Sequence, residues 1–143
     1  MIIAICGSLN FTEDMKIIAD KLRADGHEIY LPATSEEIIN DQTSLEDIVK
    51  QKEDGTIFNR MIRNDVIKVH YEKIKKSDCI LVINPDKRGI ANYIGGNTLL
   101  EMGFAHVLNK KIFLLNNIPE LSYTEEIKAM QPNIINGELS KLI

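Results

Sequence analysis

Short apolar runs alternate with longer segments of helical periodicity in this chain, and this alternation limits the fold more than any other feature. The first run, Ile2–Cys6, is continuous and ends at Gly7, as is typical of a strand buried on both faces. A second run, Cys79–Ile83, follows the longest helical pattern, Ile57–Lys76. Because parallel strands need long crossover connections, this order predicts a parallel sheet covered by helices.

The other segments extend the alternation to five strands and about five helices. They predict a three-layer α/β sandwich with a doubly wound, flavodoxin-like, five-stranded parallel sheet in the order 2-1-3-4-5. Residues 1–143 are expected to form a single domain, in which the polar segment 33–56 is an inserted lid. The predicted strands are Ile2–Cys6, His27–Leu31, Cys79–Ile83, Lys111–Leu115 and Asn133–Ile135.

Composition and charge narrow the choice of partners. Hydrophobic residues make up 44% and charged residues 27% of the chain, which is ordinary for a globular protein. A net charge of −4 argues against a nucleic acid as the main partner, although small anions need only a few local donors. Cys6 and Cys79 lie in predicted strands, so we expect buried reduced thiols in a cytoplasmic protein. No signal peptide or membrane-spanning apolar run is found, so no membrane association is expected.

A glycine turn leads into an apolar helix whose first turn is predicted to carry one carboxylate, Glu101. In open α/β sheets, ligands bind at the carboxyl ends of strands, next to the helices that follow. Two interpretations are open. Thr98 and Glu101 form a capping box that only satisfies the helix start, or Glu101 is an ionised carboxylate that attacks a sugar carbon. In the second case the turn is expected to contact the substrate through Gly95, Gly96 and Asn97.

Asp65 is the second candidate for chemistry, because it interrupts the apolar stripe of the predicted helix Ile57–Lys76. An aspartate on a buried stripe is uncommon without a partner or a function. The alternative is an ordinary surface pair with Lys68, one turn further on. The pattern supports the two interpretations about equally.

The turn after the first strand and the loop before Glu101 provide candidate substrate contacts. Backbone N–H groups at a helix start can bind an anion, two loop cations can neutralise a phosphate, and a loop tyrosine can stack or donate a hydrogen bond. Each residue also has a structural interpretation, as a helix cap, a solvated charge or a loop anchor. These candidates are Gly7, Ser8, Asn10, Lys87, Arg88 and Tyr93.

The sequence gives no sign of a metal centre or a cofactor. The three histidines, His27, His70 and His106, share no ligand spacing, and no Ser-His-Asp or Cys-His arrangement can be argued. The turn after the first strand lacks the second and third glycines of a dinucleotide fingerprint. We therefore expect neither a metal nor a redox cofactor.

Four segments, in chain order, carry a resemblance to a known family: Cys6-Gly7-Ser8, Asn64-Asp65-Val66, Ser77-Asp78-Cys79-Ile80-Leu81-Val82 and Glu101-Met102-Gly103-Phe104-Ala105. Together they resemble the nucleoside 2-deoxyribosyltransferase superfamily, which includes the deoxynucleoside 5′-monophosphate N-glycosidases, over most of the chain. The resemblance implies that Glu101 is the nucleophile that forms a glycosyl-enzyme ester and that Asp65 protonates the departing base. The transferases carry an aspartate six residues before the glutamate, where this chain has Gly95.

The residues and the resemblance together predict an enzyme, either an N-glycosidase or a nucleoside deoxyribosyltransferase. It would cleave or transfer the N-glycosidic bond of a nucleoside or nucleoside 5′-monophosphate. Two alternatives stay open: a non-catalytic nucleotide-binding or sensor domain, which Gly95 favours, and an interaction module in which Glu101 only caps its helix. A homo-oligomer, a dimer or a dimer of dimers, is expected from the resemblance and from apolar residues beyond the needs of the core. Those residues are Ile38, Ile39, Ile127 and Met130.

Overall fold

The computed structural model describes residues 1–142, which form an all-parallel sheet of five strands in the order β2-β1-β3-β4-β5. The predicted doubly wound α/β fold and its strand order are confirmed. Ile3 lies opposite Cys79, and Ile80 lies opposite Ile112, so three central strands run in parallel register. The strands are β1 (Ile2–Cys6), β2 (Glu28–Tyr30), β3 (Cys79–Val82), β4 (Lys111–Leu114) and β5 (Asn133–Ile134).

Helices cover both faces of this sheet. Within the described residues they are α1 (Thr12–Ala24), α2 (Ala33–Ile39), α3 (Leu45–Glu53), α4 (Ile57–Asn64), α5 (Val66–Lys76), α6 (Gly96–Val107) and α7 (Thr124–Ala129), with 3-10 turns at Leu9–Phe11 and Leu139–Lys141. α1 packs on one face, and α5, α6 and α7 pack on the other. None of the helices in the described part of the chain is long and apolar enough to cross a membrane.

Alternate side chains of β1 lie on opposite faces of the sheet and therefore pack against different helices. Ile3 and Ile5 belong to the core layer beneath α1, whereas Ala4 and Cys6 belong to the layer beneath α5 and α6. All four side chains are completely buried. Because successive residues of a strand point to opposite faces, the end of β1 directs Cys6 towards α5 and α6.

The single helix predicted over Ile57–Lys76 is wrong. Asp65 divides it into α4 and α5 by adopting a left-handed conformation with φ of 46°. A residue in this conformation cannot continue a right-handed helix, and aspartate tolerates it better than most. The predicted stripe is consequently not a buried face: Phe58 and Ile62 are 56% and 73% exposed. Asp65 is itself exposed.

Segment 33–56, the predicted lid, forms α2 and α3. Thr34 and Ser35 are buried, and α2 packs against α1 and α5. Ser44 caps α3, since its hydroxyl accepts a hydrogen bond from the Asp47 N–H at 3.1 Å. Ile48 of α3 is completely buried. The segment is therefore anchored in the fold, and its opening and closing as a lid stays a prediction.

The apolar residues that suggested a subunit interface have partners within the chain. Ile127 is completely buried, and Ile39 and Met130 pack against the two core layers. Ile38 is half-buried. For Ile39, Ile127 and Met130 this basis for an oligomer is therefore wrong, because their side chains complete the core of their own chain; for Ile38 it stays a prediction.

Candidate active site

A cavity of about 200 Å³ opens at the carboxyl ends of β1 and β3. The strand order changes direction here, which is where ligands bind in open α/β sheets. Eight predicted site residues line the cavity: Gly7, Ser8, Lys87, Tyr93, Gly95, Gly96, Asn97 and Glu101.

Three predicted site residues, Asp65, Asn10 and Arg88, do not line the cavity. Asp65 forms no ion pair with Lys68 either, so the surface pair considered for it is absent from the described residues. The position of Asp65 gives no support, within one chain, to a role in protonating the base.

Glu101 lies on the buried stripe of α6 at the inner end of the cavity. The helix begins at Gly96, with Gly95 as its N-cap, so Thr98 lies inside the first turn and no side chain caps the helix. The capping-box interpretation is therefore wrong. The side chain of Glu101 is only 7% exposed, and its Oε2 has no hydrogen-bond partner among the described residues.

Burial raises the pKa of Glu101 to about 8, and a hydrogen bond from the Cys6 thiol opposes the rise only in part. We expected the helix N-terminus to keep this carboxyl ionised. That expectation is wrong for the free protein, because the loss of hydration outweighs a helix-dipole effect of at most about 2 kcal/mol. The carboxyl therefore holds its proton at neutral pH.

His70 of α5 is the nearest imidazole to this carboxyl. Its Nε2 lies 3.9 Å from Glu101 Oε1 and 3.5 Å from Cys6 Sγ. Burial lowers the pKa of His70 to about 4, and the charge of Lys73 lowers it further, while the Ile5 carbonyl opposes both effects. His70 Nδ1 makes no hydrogen bond of normal geometry with any described residue.

We call Cys6, His70 and Glu101 the floor cluster. Burial, followed by the nearby Glu101, raises the pKa of the Cys6 thiol well above its usual range. All three groups are therefore uncharged at neutral pH. Between about pH 4 and pH 8, the Glu101–His70 pair holds one proton, and in the free protein this proton is on Glu101.

The sequence analysis did not select His70, although one signal pointed to it. His70 stands one helical turn before Ile74, and these two are the buried residues of α5. The stripe chosen from the sequence instead followed Phe58, Ile62 and Val69, which are exposed. A helical pattern anchored on Ile74 places His70 on the core face.

Lys52 and Lys87 line the mouth of the cavity. Arg88 lies outside the lining but close enough for its charge to lower the pKa of both lysines, and we call these three residues the mouth cations. Lys87 Nζ donates a hydrogen bond to Ser8 Oγ at 3.2 Å. Partial burial lowers the pKa of Lys87, and the charges of Lys52 and Arg88 lower it further. None of the three forms an ion pair with a described carboxylate, whereas Arg60 on the cavity wall is paired with Glu37. Clustered charges without counter-ions are typical of an anion site.

Tyr93 connects the mouth of the cavity to the turn before α6. Lys87 Nζ lies 4.8 Å from the centroid of the Tyr93 ring, within the range of a cation–π contact. A Cβ at Gly95 would lie 3.2 Å from the Tyr93 hydroxyl and 3.3 Å from its ring. Tyr93 therefore occupies space that a larger residue at position 95 would need.

The loop between β3 and α6 is held in place by Asn84, which is completely buried. Its Oδ1 accepts a hydrogen bond from the Asn116 N–H at 2.9 Å, and its Nδ2 donates to the Asn117 carbonyl at 2.9 Å. The Tyr123 hydroxyl donates to the Ile94 carbonyl at the other end of the loop. These bonds keep the loop in one position relative to Glu101.

Gly7 has a packing role that its position in the turn did not suggest. A Cβ there would lie 2.8 Å from Met15 Cε and 2.9 Å from the Ile83 carbonyl oxygen. Any larger residue would push β1 away from its neighbours. A ligand contact by Gly7 stays a prediction.

No protein-family model and no curated protein matches this chain. Among solved structures, the chain is similar to the 2-deoxyribosyltransferase of the psychrotolerant bacterium Bacillus psychrosaccharolyticus, at 20% identity and a TM-score of 0.48 over 80% of this chain and 71% of that one. It is also similar to the CMP N-glycosidase BcmB of Clostridium botulinum, at 17% identity and a TM-score of 0.47 over 94% of this chain and 86% of that one.

Proposed function

We propose that this protein cleaves or transfers the N-glycosidic bond of a nucleoside 5′-monophosphate, with Glu101 as the nucleophile. The Glu101 carboxyl carries the proposal, because it is buried at the inner end of the cavity with one oxygen unpartnered. A buried carboxyl with a shifted pKa in a cleft is a candidate for chemistry rather than for stability. Open space at Gly96, where a Cβ would meet no atom within 4 Å, leaves room for a substrate in front of it.

In the first step, a Glu101 oxygen attacks the anomeric carbon C1′ of the sugar. The C1′–N bond breaks, and its electron pair leaves with the base. Glu101 has to give up its proton, and the departing base has to gain one. Transfer through His70, 3.9 Å from the carboxyl, meets both needs.

In the second step, water or another base attacks C1′ and the ester bond to Glu101 breaks. The carboxyl takes up the proton that the attacking group releases, which restores the starting state. Water as the acceptor makes the protein a hydrolase, and a second base makes it a transferase.

His70 replaces Asp65 in this proposal as the group that protonates the base. Asp65 is exposed and lies outside the cavity lining, whereas His70 lines it and is 2% exposed. The role that the resemblance implies for Asp65 stays a prediction.

The mouth cations support a phosphorylated substrate. They bring three positive charges together in a chain whose net charge is −4, and no carboxylate among the described residues neutralises them. A 5′-phosphate on the substrate supplies the missing negative charge while the sugar extends towards Glu101.

The proposal is tested by incubating the protein with matched nucleosides and 5′-monophosphates, in ribose and deoxyribose forms, with and without an acceptor base. Chromatography should detect free base from monophosphates and much less from the matching nucleosides. Base release without exchange identifies a hydrolase. No free base from any compound would contradict the proposal.

A non-catalytic nucleotide-binding domain is the second candidate, and one contact favours it. Tyr93 packs against Gly95, the position where the related transferases carry an aspartate, so this chain cannot place a carboxylate there without moving the ring. Thermal stabilisation by nucleotides with no release of base would support this candidate.

We also propose that the chain forms a homo-oligomer, through a surface different from the one expected. The residues that expose large apolar side chains on α4 and α6 are Phe58, Ile62, Leu100 and Val107, at 56%, 73%, 49% and 78%. Large apolar side chains that stay exposed on helix surfaces are typical of an interface. Light scattering at micromolar concentration should give at least twice the chain mass of 16.2 kDa, and Ile62→Glu should lower it. A wild-type mass of one chain would contradict this proposal.

A further inference from the structure

Three metal-ligating side chains meet at the floor cluster, although they come from distant parts of the sequence. One ligand atom each of Cys6, His70 and Glu101 lies within 4.8 Å of the other two. The three residues are 0%, 2% and 6% exposed. Glu101 Oε2 has no hydrogen-bond partner among the described residues, and His70 Nδ1 makes no hydrogen bond of normal geometry with any of them. Such unpartnered buried atoms are costly, and the cluster has unused capacity to bind a ligand.

The donor set and its spacing suit a zinc-type ion. A thiolate, an imidazole and a carboxylate are all ligands of Zn²⁺, and three protein ligands leave one tetrahedral position open. Cys6 Sγ and His70 Nε2 are 3.5 Å apart. Tetrahedral zinc with bonds of about 2.3 Å to sulfur and about 2.0 Å to nitrogen requires nearly this separation.

Glu101 has to move closer to both other ligands to complete the set. Its ligand oxygen lies within 4.8 Å of Cys6 Sγ, whereas tetrahedral zinc places a sulfur and an oxygen ligand about 3.5 Å apart. Its Oε1 is 3.9 Å from His70 Nε2, and the tetrahedral arrangement brings these atoms about half an ångström closer. Rotation of the Glu101 side chain towards His70 supplies that movement. Its Oε2 has no bond among the described residues to break.

The charges also balance in the bound state. A divalent ion displaces one proton from the Cys6 thiol and one from the Glu101 carboxyl, while His70 binds as the neutral ring. Two positive charges on the ion then meet two negative charges on the ligands, and two protons leave for the solvent. A neutral complex avoids the large cost of a net charge in a buried site.

We propose that Cys6, His70 and Glu101 bind a divalent transition-metal ion of the zinc type, with the open coordination position facing the cavity. The ion takes the same Glu101 carboxyl that glycosyl transfer uses, so metal binding and turnover exclude each other. Only this competition rests on the proposed function. The metal site itself rests on the floor cluster alone.

The site is tested by titrating chelator-treated, full-length protein with ZnCl₂ in a calorimeter. One ion per chain should bind, and about two protons per ion should be released when the titration is compared across buffers of different ionisation enthalpy. CoCl₂ should produce a cobalt–thiolate charge-transfer band in the near ultraviolet. No binding, or binding without proton release and without that band, would overturn the site.

Variants assign the ligands. Cys6→Ala, His70→Gln and Glu101→Gln should each weaken zinc affinity by at least about tenfold, and Cys6→Ala should also abolish the cobalt–thiolate band. Cys79→Ala and His106→Gln are the matched controls, because these residues lie outside the cluster, and they should bind zinc as the wild type does. Glu101→Gln keeps the shape of the side chain and serves if Cys6→Ala does not fold. Wild-type affinity in the three ligand variants would overturn the assignment.

Base-release assays with added zinc separate the two parts of the proposal. Inhibition that excess monophosphate relieves supports the competition. Zinc binding with unchanged turnover overturns the competition and leaves the site intact. If the protein releases no base, there is no turnover for zinc to inhibit. The zinc and cobalt titrations still test the metal site in that case.

Discussion

The floor cluster and the mouth cations are both sets of ionisable groups in one cavity, yet the fold treats them in opposite ways. Burial shifts the pKa of Cys6, His70 and Glu101 towards their uncharged forms. At the mouth, burial also lowers the pKa of Lys52 and Lys87, but Lys52 and Arg88 are exposed and Lys87 is half-buried, so the lysines keep their charges at neutral pH. The comparison teaches that depth in the cavity separates groups whose charge burial suppresses from groups that stay charged. In the proposed function, the floor cluster exchanges protons and the mouth cations bind an anion.

The largest expected effect is the loss of turnover when Glu101, the proposed nucleophile, is replaced. Glu101→Gln keeps the size of the side chain but removes the oxygen that forms the ester, so base release should fall by at least roughly 10³-fold. Nucleotide binding at the mouth should remain in a thermal-shift assay. A 2′-fluoro-arabinosyl substrate should leave a mass adduct on the wild-type peptide that carries Glu101 and none on the variant. Unchanged turnover in the variant would place the chemistry elsewhere.

The next largest effect separates His70 from Asp65. His70→Gln should lower kcat/KM by about 10²–10⁴-fold, because it removes the group that moves a proton, and Asp65→Asn should stay within about twofold of the wild type. The wild-type kcat/KM should be level from about pH 4 to about pH 8 and fall on either side, since the pair needs its single proton.

His70→Gln should also lose the acid limb of this profile. If Asp65→Asn instead lowered kcat/KM more than His70→Gln does, Asp65 and not His70 would be the group that protonates the base. A rate that only rises through pH 8 would mean that Glu101 acts as a preformed carboxylate without a shared proton.

A smaller effect concerns stability, and its sign follows from burial at the floor. The pKa of Glu101 is about 8 in the folded chain, against 4.5 for an exposed glutamate. The folded state thus binds the proton more tightly, and this contribution to stability is complete below pH 4.5 and is lost as the pH rises through 8. The pKa of His70 is about 4 in the fold, so its contribution changes only below about pH 6.5.

Between pH 6.5 and 8 the wild type should therefore lose about 2 kcal/mol of unfolding free energy relative to Glu101→Gln. Urea denaturation of both proteins at the two pH values measures the difference. The exposed control Glu126→Gln should show the wild-type slope. Equal slopes in wild type and Glu101→Gln would mean that the floor is better hydrated than its burial indicates.

The smallest expected effect is at the mouth. Lys52→Met combined with Lys87→Met should raise the KM for a monophosphate about tenfold, because partly exposed charges contribute only about 0.7 kcal/mol each. The matching nucleoside should be unaffected, and so should turnover in Lys75→Met, an exposed lysine outside the cavity. An equal loss for nucleoside and monophosphate would show that these lysines hold the loop rather than the phosphate.

The mouth of the cavity was easier to predict than its floor, and the reason is local. Lys87, Tyr93 and Gly95 stand close together in one loop, so a single stretch of sequence shows that they can act together. Lys52 was missed because it comes from the polar segment 33–56, and nothing in that segment indicates that it reaches the cavity.

The sequence by itself determined the architecture. The apolar runs and the helical patterns between them fix a parallel sheet, because each run is too apolar to be exposed and each connection is long enough to cross over. The strand β1 was predicted with its observed bounds, Ile2–Cys6. Glu101 could be selected from one segment, since it is the single acid in an apolar helix that follows a glycine turn.

Only the tertiary structure decided what surrounds Glu101. Cys6 and His70 are 64 residues apart in sequence and 3.5 Å apart in space, and no spacing rule connects them. The left-handed turn at Asp65 removed the long helix on which the sequence interpretation rested. The pKa of Glu101 depends on how completely the packed helices exclude water, and a sequence pattern carries no measure of that exclusion.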